Sequence, residues 1–406
     1  MRRRFLAVAA VATTVVLTLA GCGGSASSGA GGDGGPYRVL VSAGLSTQGV
    51  LAANAKTAVL AARAGVKNIN QAGGINGRQV KIEVVDDAGD PTTAITKLRE
   101  AINSGDKPDL YLGSGPSNVA AAVLPTLKSR DILSFNIGPT ENSGNPSKFP
   151  LNFDLSPAPA GYAKGFVARI QEQGYESVGI IHGNTAYGET FGPVVKKALQ
   201  HAGIEVVGIQ KYDTEALDMT SQLKALQLKK PDALVMDGYG SPVGYLLRSL
   251  KRLGWDVPVL GNTSVGSTSL ISTKPPSGLL GTKMVDDVVV QVFDSTVYSE
   301  SAEQVNTMVK TMSGLGNIPT TLILAYHYDA MPLVAAAAKQ VGSADDPEAL
   351  AEALEKPAVQ KKAATVVLPR YGFSAESHSA SITAEALTFV EPSPVVKGQY
   401  RTDQNA

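Results

Sequence analysis

The chain of 406 residues contains a single cysteine, Cys22, so no disulfide can form within it. Aromatic residues make up only 6% of it, and Lys+Arg and Asp+Glu are equal at 36 each. That balance leaves no basic surplus for a phosphate backbone, so nucleic acid is not an expected partner. His182, His201, His327 and His378 lie far apart and show no metal-ligand spacing, so neither metal nor cofactor is expected. No nucleophile elbow or dinucleotide fingerprint stands at a strand–helix joint. The Gly-rich loop 113–118 lacks the Lys of a phosphate-binding loop. The chain therefore does not read as an enzyme. The longest apolar run near its start, residues 5–20, is shorter than the roughly 20 residues that span a bilayer.

Arg2, Arg3 and Arg4 precede that run and Leu19-Ala20-Gly21-Cys22 closes it, which is the layout of a signal peptide over 1–21. The LAGC ending resembles a bacterial lipobox. The resemblance implies that Cys22 receives a diacylglycerol and anchors the protein to the outer face of the cytoplasmic membrane. Residues 23–36 are Gly/Ser-rich without apolar periodicity, so 22–36 reads as a flexible tether. Removing the three arginines with the signal peptide leaves 33 basic against 36 acidic residues, a mildly acidic mature protein.

Length alone suggests two domains. The stretch 65–102, GVKNINQAGGINGRQVKIEVVDDAGDPTTAITKLREAI, reads as helix end, turn, strand, turn, helix. Gly73-Gly74 suits a left-handed helix cap, and Asn76-Gly77 turns the chain into a strand carrying Val80, Ile82, Val84 and Val85. Asp90 is placed as an N-cap, and Pro91 fits the first helical turn. Ala94, Ile95, Leu98 and Ile102 then share one helical face.

INQAGGINGRQVKIEVVDDAGDP resembles the signature of the type I periplasmic binding proteins, specifically the branched-chain amino-acid binding family of ABC importers. Later segments resemble the family in the same order, from Tyr37 to Phe373. The strands expected from the pattern are 37–43, 109–113, 132–136, 177–181, 205–210, 233–236 and 257–260. Helices are expected at 51–70, 117–128, 160–173, 189–202, 217–228, 241–253, 301–312 and 321–341. Such alternation implies α/β architecture with parallel sheets and right-handed crossovers. The family implies two doubly wound lobes joined by three hinge strands, a clamshell. Lobe I is expected at 37–152 plus 291–371, and lobe II at 153–290 plus 372–406. Crossings are expected at 152–159, within 282–292, and near Tyr371-Gly372-Phe373.

In open α/β sheets, ligands bind beyond the carboxyl ends of the strands, where helix N-termini favour anions. The resemblance places the ligand loops of lobe I at 113–118 and 137–140. It makes Ser117 and Thr140 the leading carboxylate ligands, with Ser114 and Gly138 as the next candidates. Ser117 also reads as a helix cap, a role compatible with binding. From lobe II come Tyr187, within Asn184-Thr185-Ala186-Tyr187-Gly188, and Asp237 and Tyr239, within Asp237-Gly238-Tyr239-Gly240. The loop 261–266 departs from the family at Thr263, where branched-chain binders carry the acid that meets the ligand's ammonium. An unpaired buried ammonium is costly, so Asp237 either replaces that acid or bonds its own turn. His182 follows a strand, and Tyr328-Asp329-Ala330 matches a family helix motif read as packing.

The resemblance implies a solute receptor that captures a small ligand and presents it to an ABC permease in the membrane. The ligand is expected to be an amino acid or a related amide or carboxylate. A sensor passing occupancy to a signalling partner would use the same clamshell, whereas an esterase built on Ser117 lacks a recognisable His–acid pair.

Overall fold

The computed structural model describes residues 35–105 and 107–402, so the expected signal peptide, Cys22 and all but the end of the tether lie outside the described residues. Two six-stranded sheets organise the chain. The first is built from β1 (Tyr37–Ala43), β2 (Val80–Asp86), β3 (Leu110–Gly113), β4 (Leu133–Asn136) and β5 (Asn152–Pro157). Between them run α1 (Gly49–Gln71), α2 (Pro91–Asn103) and α3 (Ser117–Ser129). The chain then enters α4 (Pro159–Gln173), β6 (Ser177–Gly183), α5 (Ala186–His201), β7 (Glu205–Tyr212), α6 (Thr220–Gln227) and β8 (Ala233–Met236). There follow α7 (Ser241–Leu253), β9 (Val259–Gly261), the four-residue α8 (Thr263–Gly266) and β10 (Val288–Phe293), which complete most of the second sheet.

Helices α9 (Glu303–Leu315), α10 (His327–Val341), α11 (Pro347–Leu354) and α12 (Pro357–Lys362) return to the first lobe, where α9 and α10 pack on α1. Short strands β11 (Ser379–Ala380) and β12 (Leu387–Val390) then join the first and second sheets respectively. A hairpin, β13 (Val395–Val396) with β14 (Gln399–Tyr400), ends the described chain. The spatial orders are β11-β5-β4-β3-β1-β2 and β12-β10-β9-β8-β6-β7, parallel but for the antiparallel β10–β12 pair.

Both faces of each sheet are covered, and strand alternation sorts the side chains. In β6 and β8, Val178, Ile180, Ala233 and Val235 pack under α4 and α5 with Phe166, Phe191 and Val195. Ile181, Leu234 and Met236 point the other way, toward Leu223 and Leu226 of α6 and Leu246 of α7. In the first sheet, Leu40 and Tyr111 meet Leu98, Val123 and Leu127 of α2 and α3, while Val39, Val41 and Leu112 face α1. Each fully buried Leu, Val, Ile or Phe contributes about 1.5–3 kcal/mol relative to exposure, so these four apolar layers hold the lobes together.

The local signals in the stretch 65–102 are realised. Asp90 caps α2 by accepting Thr93 N–H, and Asn76 adopts positive φ in the turn before β2. Gly74 is required where it stands. Its φ is +82°, and a Cβ there would lie 2.1 Å from the Arg78 carbonyl oxygen.

The strand pairings place the first passage between sheets inside the expected 152–159 and move the other two. Most of that range, residues 152–157, is strand β5, paired with β4 and β11, so the first passage is confined to its end, between Pro157 and α4. Within 282–292 only the last residues are strand, and β10 pairs with β9, so the return to the first lobe comes after Phe293. Tyr371 and Phe373 are wholly buried against the first lobe, where Tyr371 donates to Asp329 and Phe373 packs edge-on to Phe153. The third passage therefore lies between Ala380 and Leu387. Helices α11 and α12 were not expected from the sequence, and 321–341 divides into a 3-10 turn at Leu322–Ala325 and α10.

Candidate functional site

Beyond the carboxyl ends of both sheets lies a cavity of about 520 Å³. The first lobe closes it with the loops after β3 and β4, and the second with the starts of α5, α7 and α8. This is where doubly wound sheets hold ligands, because strand ends and helix N-termini converge there.

The N-terminus of α5 is satisfied in an unusual way. A helix leaves its first N–H groups without intrahelical partners. Here Thr185 Oγ1, in the N-cap, accepts Gly188 N–H at 3.0 Å. Asn118 Oδ1 accepts Ala186 N–H at 2.9 Å and Ser117 Oγ accepts Tyr187 N–H at 2.9 Å. Both of those acceptors sit on α3 of the other lobe, so the cleft is bridged by direct hydrogen bonds. Gly138 lines the cavity and lets the two lobe I loops nest, since a Cβ there would stand 2.8 Å from Ser117 N and 2.9 Å from Gly115 O.

On the second-lobe side Asp237, only 4% exposed, follows β8. Its Oδ1 accepts Asn262 Nδ2 at 2.6 Å, while Oδ2 has only the long Gly183 N–H contact at 3.4 Å. Burial pushes its carboxyl above the usual range, and the bonds from Asn262 and Gly183, with His182 nearby, pull in the opposite direction. Asn262 also caps α8 through Val265 N–H, which fixes its amide. The Tyr187 ring stacks on Phe191 at 5.7 Å. Its buried hydroxyl, beside Asn262, has no hydrogen-bond partner, and burial raises its pKa well above the phenolic value.

Of the residues singled out from sequence, Ser117, Gly138, Tyr187, Asp237, Tyr239 and Thr263 line the one cavity. Two do not. Ser114 is buried beneath the loop, its Oγ 3.3 Å from His327 Nδ1. Thr140 turns back on its own chain: its N–H donates to Ser143 Oγ at 2.7 Å and its Oγ1 accepts Ser143 N–H at 3.1 Å. His182 is not in the lining either, but buried in β6 with Nδ1 3.0 Å from Gly183 O. Asp329 accepts Val366, Val367 and Leu368 N–H and the Tyr371 hydroxyl, in keeping with a packing role.

Sequence reasoning missed Tyr162, Tyr212 and Tyr245, which also line the cavity. Tyr162 lies on α4 with its hydroxyl 3.0 Å from Ser156 Oγ and 3.3 Å from Tyr326. Tyr212 donates to the Asp237 carbonyl at 3.1 Å. The available signal was an aromatic in the last residue of a strand or in the first two turns of a helix, and each reads equally well as core. Among the described residues no group of His, Cys, Asp and Glu could hold a metal ion, and no helix is long and apolar enough to cross a membrane.

Known proteins agree with this architecture. The family model described as "Periplasmic binding protein" matches residues 40–391. The leucine-, isoleucine-, valine-, threonine- and alanine-binding protein of Pseudomonas aeruginosa is 24% identical over 294 residues, covering 71% of this chain and 74% of that protein. An extracellular ligand-binding receptor from Rhodopseudomonas palustris superposes with a TM-score of 0.75 at 19% identity, covering 91% of this chain and 100% of its own. An ABC-transporter solute-binding protein from R. palustris, solved with benzoate, gives 0.68 at 18% identity, covering 91% and 98%. At those identities the two structures attest the fold alone. With most of its length matched, the chain belongs to the type I periplasmic binding protein family, whose members bind a solute for an ABC transporter and are not enzymes.

Proposed function

We propose that the protein is a lipid-anchored extracytoplasmic receptor that captures an amino-acid-sized polar solute between its lobes and delivers it to an ABC permease. The observation that carries this reading is the cavity of about 520 Å³, walled by both lobes and bridged by Ser117 and Asn118. Closing the lobes over a solute excludes water and strengthens every polar contact inside. Similarity to amino-acid receptors supports an amino acid or a related amide or carboxylate, while the benzoate-bound neighbour shows how far cargo varies on one fold.

Anchoring through Cys22 is supported by the LAGC sequence that ends an apolar run. A test for both parts is to identify the co-purified solute by native mass spectrometry and follow its labelled form into cells. Deleting the gene is expected to abolish uptake, and wild-type protein to restore it. Cys22→Ala is expected to release the protein from the membrane fraction. Undiminished uptake in the deletion strain would remove the transport reading, and an unchanged membrane fraction for Cys22→Ala would remove the anchor.

A further inference from the structure

We propose that the groove between the C-terminal ends of α2 and α3 is a phosphate-binding site that takes the headgroup of an anionic phospholipid and so lays the base of the first lobe on the membrane. This rests on the reading of the protein as membrane-anchored, though its test does not use the anchor. The groove encloses about 220 Å³ and is lined by Arg99, Ile102 and Asn103 on one side and Thr126, Ser129 and Arg130 on the other.

Among the described residues no acid lines the groove, and Arg99 and Arg130 make neither an ion pair nor a hydrogen bond. Glu100 is paired with Lys97 and Asp109 with Arg78, while Asp131, next to Arg130, stays outside the lining. Ser129 Oγ donates to the Thr126 carbonyl at 3.0 Å, which leaves the Thr126 hydroxyl and the Asn103 amide as neutral donors. A guanidinium presents a planar fork of N–H groups that matches two oxygens of an anion. Two forks on one groove suit a phosphate, which has oxygens for both, better than a single carboxylate. The ends of α2 and α3 bring partial negative charge of about half a unit each, less than the two whole charges of the arginines.

The place where the chain leaves the lobe points to the source of the phosphate. Strands β1, β3 and β4 are parallel neighbours, and α2 and α3 lead into the starts of β3 and β4. The groove therefore lies at the end of the sheet where β1 begins, and the start of β4 is two strand spacings, about 10 Å, away from it. Arg78 fixes the chain there by donating to the Gly35 and Pro36 carbonyls at 2.9 and 3.0 Å. The stretch 22–35 spans no more than about 45 Å at full extension, so a lipid on Cys22 keeps this end of the lobe near the headgroups. The cavity lies beyond the opposite, carboxyl ends of the same strands, so docking at the base leaves it uncovered. The mature chain is acidic as a whole, with 33 basic against 36 acidic residues, so attraction to an anionic surface has to come from a local patch.

The test uses the full mature chain carrying Cys22→Ala, so that no acyl chain inserts and any binding belongs to the folded body. Sedimentation with vesicles of equal parts phosphatidylglycerol and phosphatidylcholine is compared with phosphatidylcholine alone. Binding is expected to the anionic vesicles only, and to fall roughly 25-fold in Arg99→Gln/Arg130→Gln, about fivefold for each charge. Both side chains are exposed, so this variant is expected to keep the wild-type urea midpoint. Lys196→Gln/Lys197→Gln, on α5 of the second lobe, removes the same charge and is expected to leave binding within about twofold. Equal losses in the two double variants would mean diffuse attraction and overturn the site. Inorganic phosphate held by the arginines in calorimetry, with neither vesicle bound, overturns the lipid assignment. No binding of phosphate or vesicles overturns the site altogether. The anchor is decided separately, by whether Cys22→Ala leaves the membrane fraction after a high-salt wash, which strips the groove's contact and spares an acyl anchor.

Discussion

Ser117 Oγ, on α3 of the first lobe, accepts the backbone N–H of Tyr187, on α5 of the second, at 2.9 Å. With Asn118 Oδ1 on Ala186 N–H, the pair caps a helix from across the cleft. Opening would return both donors to water, so each bond contributes a net of about 0.5–1.5 kcal/mol to closure. Ser117→Ala combined with Asn118→Ala is therefore expected to shift the solute-free protein toward the open form by about 2 kcal/mol. Small-angle scattering should register a larger radius of gyration for the double variant without solute, converging on the wild-type value at saturation. Identical radii without solute would deny the bonds any part in closure.

Gly138 holds together the two first-lobe loops that line the cavity by having no side chain. Gly138→Ala drives a Cβ to within 3 Å of backbone atoms of Gly115 and Ser117, neither of which is a flexible tip. The expected cost is about 1–3 kcal/mol of stability, with α3 displaced and solute affinity lowered. Thr140→Ala, in contrast, breaks only the turn to Ser143 and should leave affinity within about twofold, since its hydroxyl does not reach the cavity. Urea unfolding and calorimetry on the two variants separate these outcomes.

Most of the alternation of strands and helices was readable because each element carries its own signals, as Asp90 shows by capping α2 and Gly74 by its left-handed turn. The passages between lobes were readable only in part, the first within 152–159 and the third not at all. Asn152–Pro157, with a proline and no helical period, looks the same whether it crosses freely or pairs at a sheet edge, and only its partners β4 and β11 decide. The site was legible in part for a related reason. Position after a strand marked Ser117, Tyr187 and Asp237, but it equally marked Thr140, whose side chain a local bond to Ser143 claims first. Tyr162 was hidden because a tyrosine in the first turn of a buried helix carries no mark that separates cavity wall from core.

The Tyr187 hydroxyl is buried without a partner, whereas its ring stacks on Phe191. A buried polar group that makes no bond subtracts from stability, so Tyr187→Phe is expected to leave the solute-free protein as stable or slightly more so. The same substitution should lower solute affinity by about fivefold, the loss of one neutral hydrogen bond made only when the cavity is filled. Equal affinity of the two proteins would place the solute away from this hydroxyl.

Asp154, wholly buried in β5, ties four pieces of chain near the first passage between lobes. Its Oδ1 accepts Asn136 Nδ2 at 2.6 Å and Asn152 Nδ2 at 3.2 Å, and its Oδ2 accepts Ser143 Oγ at 2.8 Å and Ser379 Oγ at 3.0 Å. Burial outweighs these donors and pushes the carboxyl from its ordinary 3.8 up to about 6. The protonated form fits, because either serine hydroxyl can rotate from donor to acceptor. A group whose folded pKa exceeds its unfolded value contributes stability that is complete below the unfolded pKa. That contribution is lost as pH rises through the folded one. For Asp154 the window runs from about pH 4 to 6, and the linked change is at most about 3 kcal/mol. Asp154→Asn mimics the protonated acid and does not titrate. Asp329, pushed up to about 7 by burial, titrates in both proteins and cancels in the difference. Relative to Asp154→Asn, the wild type should therefore lose unfolding free energy between pH 4 and 6 and run parallel to it above pH 7, as urea midpoints across the range would record. A wild type that gains on the variant over that window would mean that the four donors, not burial, govern the carboxylate.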